Sequence, residues 1–334
     1  YKVHKSTLAL HATFFRDLFD GPQTAFDTAS ERYDGVPVMD MQDAAEDVED
    51  FLKAIYFPDY THRHGRKPTG EPFWSNFPGM YAGILRLVQK YDAPKIRQIL
   101  VDAIKKEWPS NLCVWDKRQH QFQTDKDECV GKGIDPDGFH SEPVALTRWH
   151  GHISQTIRIA MELDIPEVLP VAFYDIYRTT EYNQLHDRIS HHVDLFRLTV
   201  DDFCKLTEGR KSMRKYVTSS LPMSLIKTKP TQFCEGVWDD DIEHCAETDP
   251  KVQAKIMKSP CLKVIRTLRQ NISTSARCAR DVLANMKQSI DDLGSASLCS
   301  SCCEDLEESM KSLRQQLWAE LPDIFMVVRG AFAS

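Results

Sequence analysis

Between Ser6 and Phe19, the apolar residues Leu8, Ala12, Phe15 and Phe19 fall at i, i+4, i+7 and i+11. That spacing draws one face of a helix, and Phe14 and Leu18 widen it. A stripe this apolar predicts a helix buried against other elements. Tyr1–Val3 reads as the end of a strand, and His4–Ser6 turns the chain. Ser6 is expected to cap the helix, because its hydroxyl can accept a backbone N–H that the first turn leaves unpaired.

Gly21-Pro22 stops the pattern, and a polar stretch runs on to Gly35. Val36–Met41 is short, apolar and β-leaning, which predicts a strand. Asp43 and Glu46 have the spacing of a capping pair. Behind them Val48, Phe51, Leu52 and Ile55 give a helical face that ends near Tyr56. Phe57–Pro78 is rich in Pro, Gly and basic residues and reads as an exposed loop, with His62 and His64 solvated rather than bound to a metal. Met80, Ile84, Leu87, Val88 and Tyr91 mark the next helix. Pro94 suits the first turn of another, whose face is Ile96, Ile99, Leu100, Ala103 and Ile104.

Asn111–Pro143 has little apolar periodicity and reads as a connector, although Trp115 and Phe122 could pack. Beyond residue 110 no strand alternation appears. Leu146, Trp149, Ile153, Ile157 and Ala160 share a face. Pro166 opens a helix carrying Leu169, Ala172, Phe173 and Ile176. Thr199–Asp202 caps another, with Phe203, Leu206 and Met213. After Pro260 a long seam, Ile265 through Leu293, steps by three and four. A last helix carries Leu306, Met310, Leu313, Leu317 and Leu321.

Val3-His4-Lys5-Ser6 with Phe14-Phe15-Arg16-Asp17-Leu18-Phe19, the acidic helix ending Phe51-Leu52-Lys53-Ala54-Ile55-Tyr56, and Leu87-Val88-Gln89-Lys90-Tyr91-Asp92 stand in the order and spacing of the BTB/POZ signature. Residues 1–108 therefore resemble a BTB/POZ domain, an α+β fold. Its first strand, and the Asp that pairs with the signature His, would precede Tyr1, so His4 lacks that partner. The loop Phe57–Pro78 is also longer than the pattern has it. Residues 144–334 form an all-α helical extension behind the connector 109–143. Trp108-Pro109-Ser110, Cys299-x-x-Cys302 and the stretch Leu317–Phe325 resemble the BTB-domain proteins of mushroom-forming fungi. The resemblance implies protein–protein interaction, commonly with homodimerisation through the first helix and adjoining strand. For some members it also implies service as a substrate adaptor on a cullin scaffold of a ubiquitin ligase. It further implies a core holding Phe15, Leu18, Phe19, Phe51, Leu52, Ile55 and Tyr91.

The 334 residues are 42% hydrophobic and 27% charged, which are globular values. A net charge of −7 with mixed signs argues against a nucleic-acid surface. No apolar run is long enough to span a membrane. With no secretory signal visible in a sequence that starts at Tyr1 rather than Met, the ten cysteines read as reduced thiols or metal ligands, and the expectation is an intracellular protein of cytoplasm or nucleus. On that ground the Asn271 sequon, inside a helical pattern, is discounted.

Cys299-x-x-Cys302 has the spacing with which two thiolates grip one tetrahedral ion. Cys234 and Cys245, in a polar stretch, could supply the second pair for a structural zinc, with His244 as a substitute ligand; the alternative is a set of thiols that pack as small apolar residues. Cys303 is a spare beside the knuckle, and Cys204, Cys261 and Cys278 read as packing residues in helices. His150 with His152, and His191 with His192, do not share a helix face and make poor metal sites. Asp239–Asp241 and Glu304-Asp305 read as solvated surface. No nucleophile elbow, P-loop or dinucleotide fingerprint is present. The expectation is a non-catalytic interaction protein.

Overall fold

The computed structural model describes residues 1–21, 32–57, 60, 77–131, 153–183, 197–226, 230, 234, 249–278 and 281–327. They are predominantly helical, with one two-stranded sheet. They divide into two compact units. The first is Tyr1–Pro109, Lys117–Ala172 and His191–Leu198; the second is Ser110–Asp116, Phe173–Ser190 and Thr199–Ser334.

In the first unit the opening helix is two helices, α1 (Lys5–His11) and α2 (Thr13–Asp20). Ala12 is extended between them, at φ −135° and ψ 121°. The cause is tertiary. The first N–H groups of α2, at Thr13 and Phe14, donate to the carbonyls of Asp92 and Tyr91. Those carbonyls sit in a tight corner, where Asp92 has φ 50°. The apolar stripe survives the break: Leu8, Ala12 and Phe15 are buried. Leu18 and Phe19, expected in the core, are half-buried, and Phe14 is 45% exposed. Ser6 does not cap; α1 starts at Lys5 behind His4, which makes no side-chain cap bond. Tyr1–Val3 is not a strand and is exposed.

The expected strand Val36–Met41 shrinks to β2 (Val36–Pro37), which pairs antiparallel with β1 (Arg32–Tyr33). Asp34 and Gly35 join them at positive φ, 51° and 71°, the backbone a two-residue hairpin loop demands and Gly adopts at no steric cost. α3 (Ala45–Tyr56) buries Val48, Phe51, Ala54 and Ile55, with Leu52 half-buried. Asp43 does not cap it. Its carboxylate instead accepts from Lys90 Nζ at 2.6 Å and from the Tyr91 hydroxyl. α4 (Phe77–Lys90) and α5 (Pro94–Glu107) form the helical pair that Pro94 signals, with Pro94 in the first turn. Residues 112–131 of the expected connector are a helix, α6 (Leu112–Gly131), that lacks one continuous apolar face. α7 (Ile153–Glu162) and the start of α8 (Leu169–Asn183) complete the unit; Arg86 pairs with Glu162 at 2.7 Å and Lys105 with Glu167 at 3.0 Å.

In the second unit α9 (Val200–Lys215) begins at the expected capping box, Thr199 with Asp202. It runs through a π-turn (Tyr216–Ser220) into α10 (Leu221–Ile226). α11 (Pro250–Ile256) precedes α12 (Pro260–Cys278), and α13 (Val282–Asp291) follows it. The seam from Ile265 to Leu293 is therefore split, not continuous. Asp281 caps α13 and is held from outside it: its carboxylate accepts from the Tyr174 hydroxyl and from Arg178 Nη1, both at 2.8 Å. α14 (Ser300–Ile324) is the longest helix described and buries Leu306, Met310, Leu317 and Leu321. Arg314 is buried along it. It donates to both oxygens of Asp116 and, through Nε, to the Leu283 carbonyl at 2.9 Å. Trp115 and Trp318 pack at 5.8 Å between centroids, and the Phe325 ring lies where a Cβ on Gly209 would stand.

Candidate metal centre

Four cysteines converge in the second unit. The Sγ atoms of Cys234, Cys261, Cys299 and Cys302 lie within 4.8 Å of one another. None of the four is in a disulfide. Cys234, Cys261 and Cys302 are buried and Cys299 is half-buried. Val252, Ile256, Ile265 and Leu298 pack around them.

Local structure places each thiol. Pro260 opens α12, so Cys261 stands in its first turn. Cys299 is the extended residue before α14, at φ −70° and ψ 160°, and Cys302 is in the first turn behind it. A Cys-x-x-Cys at a helix start thus turns both sulfurs toward one point. Two polar contacts address the sulfurs: the Cys299 N–H donates to Cys261 Sγ at 3.5 Å, and Ser259 Oγ lies 3.1 Å from Cys234 Sγ. Burial pushes the Cys261 thiol above its ordinary range, while the Cys299 N–H pulls it the other way.

The chemistry open to such a set is metal binding. Thiolates bind soft and borderline ions, and a closed set of four is the form of a structural site. A tetrahedral ion with bonds near 2.3 Å puts its ligand sulfurs about 3.8 Å apart. Cys299 and Cys234 Sγ stand at 3.7 Å, although 65 residues apart in sequence.

Of the expected ligands, Cys234, Cys299 and Cys302 come together. The fourth thiol is Cys261, which its helical pattern had marked as a packing residue. The missed signal was its place one residue after Pro260, in the first turn of a helix, as Cys302 stands in the first turn of the next. Cys245 lies outside the described residues, as do Asp239–Asp241, His244, His62, His64, His150, His152, His191 and His192. Cys303 turns to the Leu293 carbonyl at 3.8 Å, and Cys204 is exposed.

The residues singled out in the first unit gather around Tyr91. Its ring stacks on Phe15 at 4.9 Å and meets Phe51 at 5.8 Å and Phe14 at 5.2 Å. Ile55 is buried in the same unit. His4 is exposed, and its backbone N–H donates to the Tyr56 hydroxyl at 2.7 Å. A cleft of about 520 Å³ opens between α1, α2 and the hairpin, lined by Val3, Phe15, Phe19, Val38, Met39 and Leu52 among others. Compared with protein-family models, with curated proteins and with solved structures, the chain finds no match.

Proposed function

We propose that the protein is a non-catalytic protein–protein interaction scaffold that engages partners, a second copy of itself among them, through its N-terminal unit. The supporting observation is the apolar surface there. Leu10 and Tyr33 are 75% and 80% exposed and Phe14 is also open to solvent, while Tyr33, Val36 and Val38 line an apolar cleft. Apolar residues gathered at the mouth of a cleft are the kind of surface that interaction sites use. The BTB/POZ resemblance of residues 1–108 points to the same face, its first helix and adjoining strand. Light scattering at micromolar concentration should find a dimer, and Leu10→Asp combined with Phe14→Asp should shift it to monomer. A wild-type monomer overturns the self-association reading. A pull-down with purified cullin scaffold decides the narrower role: capture makes the protein a ubiquitin-ligase adaptor, and no capture leaves it a scaffold.

The second unit, in the same proposal, is held by a structural zinc ion in the four-thiol site. What supports this is the convergence of four sulfurs within 4.8 Å of one another, one pair of them at 3.7 Å. Elemental analysis of the purified protein should find about one zinc per chain, the stoichiometry of a closed four-thiolate site.

A further inference from the structure

The neighbours of the thiol cluster carry more than the presence of a metal. Four thiolates around a divalent ion make a centre of net charge −2, here with Val252, Ile256, Ile265 and Leu298 packed around it. A buried charge of that size needs compensation. The amino ends of α12 and α14, helices of 19 and 25 residues, both open at the cluster. Each such end is worth about half a positive charge, so the pair offsets roughly half of the centre's charge. Hydrogen bonds to sulfur add to this. The Cys299 N–H already points at Cys261 Sγ, and a thiolate at Cys234 can only accept, so the Ser259 hydroxyl must donate to it. Ser259 is itself buried, 4% exposed. Thiols packed merely as small apolar groups would gain less from these contacts, since a neutral sulfur is only a weak acceptor.

Resting on the zinc reading, we propose that Cys234, Cys261, Cys299 and Cys302 are the complete ligand set, with no place for Cys245, and that Ser259 is a positioning residue for Cys234. The consequence is local. The ion joins the Cys234 segment to the starts of α12 and α14, contacts that stand 38 and 65 residues apart in sequence. Binding free energy at such a site is folding free energy for the elements it joins. Removing the ion should therefore loosen the starts of α12 and α14 and leave the first unit folded.

The test uses the whole chain and Zn²⁺ itself, with a chromophoric chelator as competitor. Wild type should hold one zinc, and Cys245→Ser should hold it equally well. Cys261→Ser should lose the ion or bind it at least a hundredfold more weakly. Ser259→Ala should weaken binding roughly 10–100-fold, the usual effect of removing a partner of a metal ligand. It should do so while the zinc-loaded variant keeps the wild-type far-ultraviolet dichroism. Should Cys261→Ser fail to fold, Co²⁺ loaded into wild type and into Cys245→Ser keeps the question open to decision, because both must show the same four-thiolate tetrahedral absorption. A wild-type protein free of zinc overturns both the zinc reading and this ligand set. Zinc kept by Cys261→Ser, or lost by Cys245→Ser, overturns the ligand set alone. An unchanged affinity in Ser259→Ala overturns the positioning role.

Discussion

Replacing Phe15 by Ala tests how the first unit is packed. Phe15 is 1% exposed. Its ring stacks on Tyr91 at 4.9 Å and on Phe19 at 6.2 Å, and meets the edge of Phe14 at 5.3 Å. Taking the ring out of its apolar site loses about 2–3 kcal/mol of transfer free energy. The lost aromatic pairs add about 0.5–1.5 kcal/mol each. A large cavity penalty is not expected, because Phe15 already borders the cleft and the space opens into it. With every contribution at its low end the sum is about 3.5 kcal/mol, inside the range of about 3–5 kcal/mol for emptying an aromatic site. At 1.4 kcal/mol per decade, about 3.5 kcal/mol is roughly a three-hundredfold rise in the opening equilibrium. Hydrogen exchange read by mass spectrometry on peptides from α2, α3 and α5 resolves that change in the first unit by itself. Phe14→Ala is the internal control. Phe14 is 45% exposed, so its loss should cost about 1 kcal/mol, its two aromatic pairs each at their low end. A neutral Phe15→Ala, or a Phe14→Ala of equal cost, would show that α2 presents a different face and that the packing around Tyr91 is wrong.

Two further outcomes follow from buried charge. Arg314→Met leaves the Asp116 carboxylate and the Leu283 carbonyl without their donor, and should cost about 3 kcal/mol in urea unfolding followed by the fluorescence of Trp115 and Trp318, at the low end for a broken buried pair because Asp116 keeps some solvent; the double variant Arg314→Met, Asp116→Leu should recover most of it, and simple additivity would refute the pairing. Burial alone would raise the Asp43 carboxyl, but hydrogen bonds from Lys90 and Tyr91 win and hold it below the ordinary range. A carboxyl depressed in the folded state stabilises the fold above its unfolded pKa, near 4, and that contribution is lost as pH falls through the lower folded value. Asp43→Asn should therefore flatten the acid limb of the stability–pH curve of the first unit and leave its slope above pH 6 unchanged; an identical acid limb refutes the role.

Much of the helical framework was legible because its signals are local. Pro94 in a first turn, the Thr199–Asp202 capping box and the stripe of Leu306, Met310, Leu317 and Leu321 each act within a few residues, and each stands where its chemistry puts it. The misses share a cause of the opposite kind. The helix expected over Ser6–Phe19 breaks at Ala12 because carbonyls some eighty residues along the chain, at Tyr91 and Asp92, take the N–H groups of Thr13 and Phe14. Asp43 leaves its capping role for Lys90 and Tyr91, and Asp281 starts a new helix within what looked like one seam because Tyr174 and Arg178 hold its carboxylate. Helix periodicity is blind to such partners, since it weighs a residue only against neighbours three and four positions away.

The thiol cluster obeys the same division. Cys299 and Cys302 are visible as a pair because only two residues separate them and a helix start aims both sulfurs one way. Cys261 is harder to see as their partner, because its one local signal, a place in the first turn behind Pro260, is shared with thiols that merely pack. What distinguishes it is the amide of Cys299 and the sulfur of Cys234, which only the folded second unit brings to it. Local spacing can therefore nominate half of such a site. The other half is a property of how the Cys234 segment and the start of α12 meet the start of α14, contacts made across 65 and 38 residues of chain that no local spacing encodes.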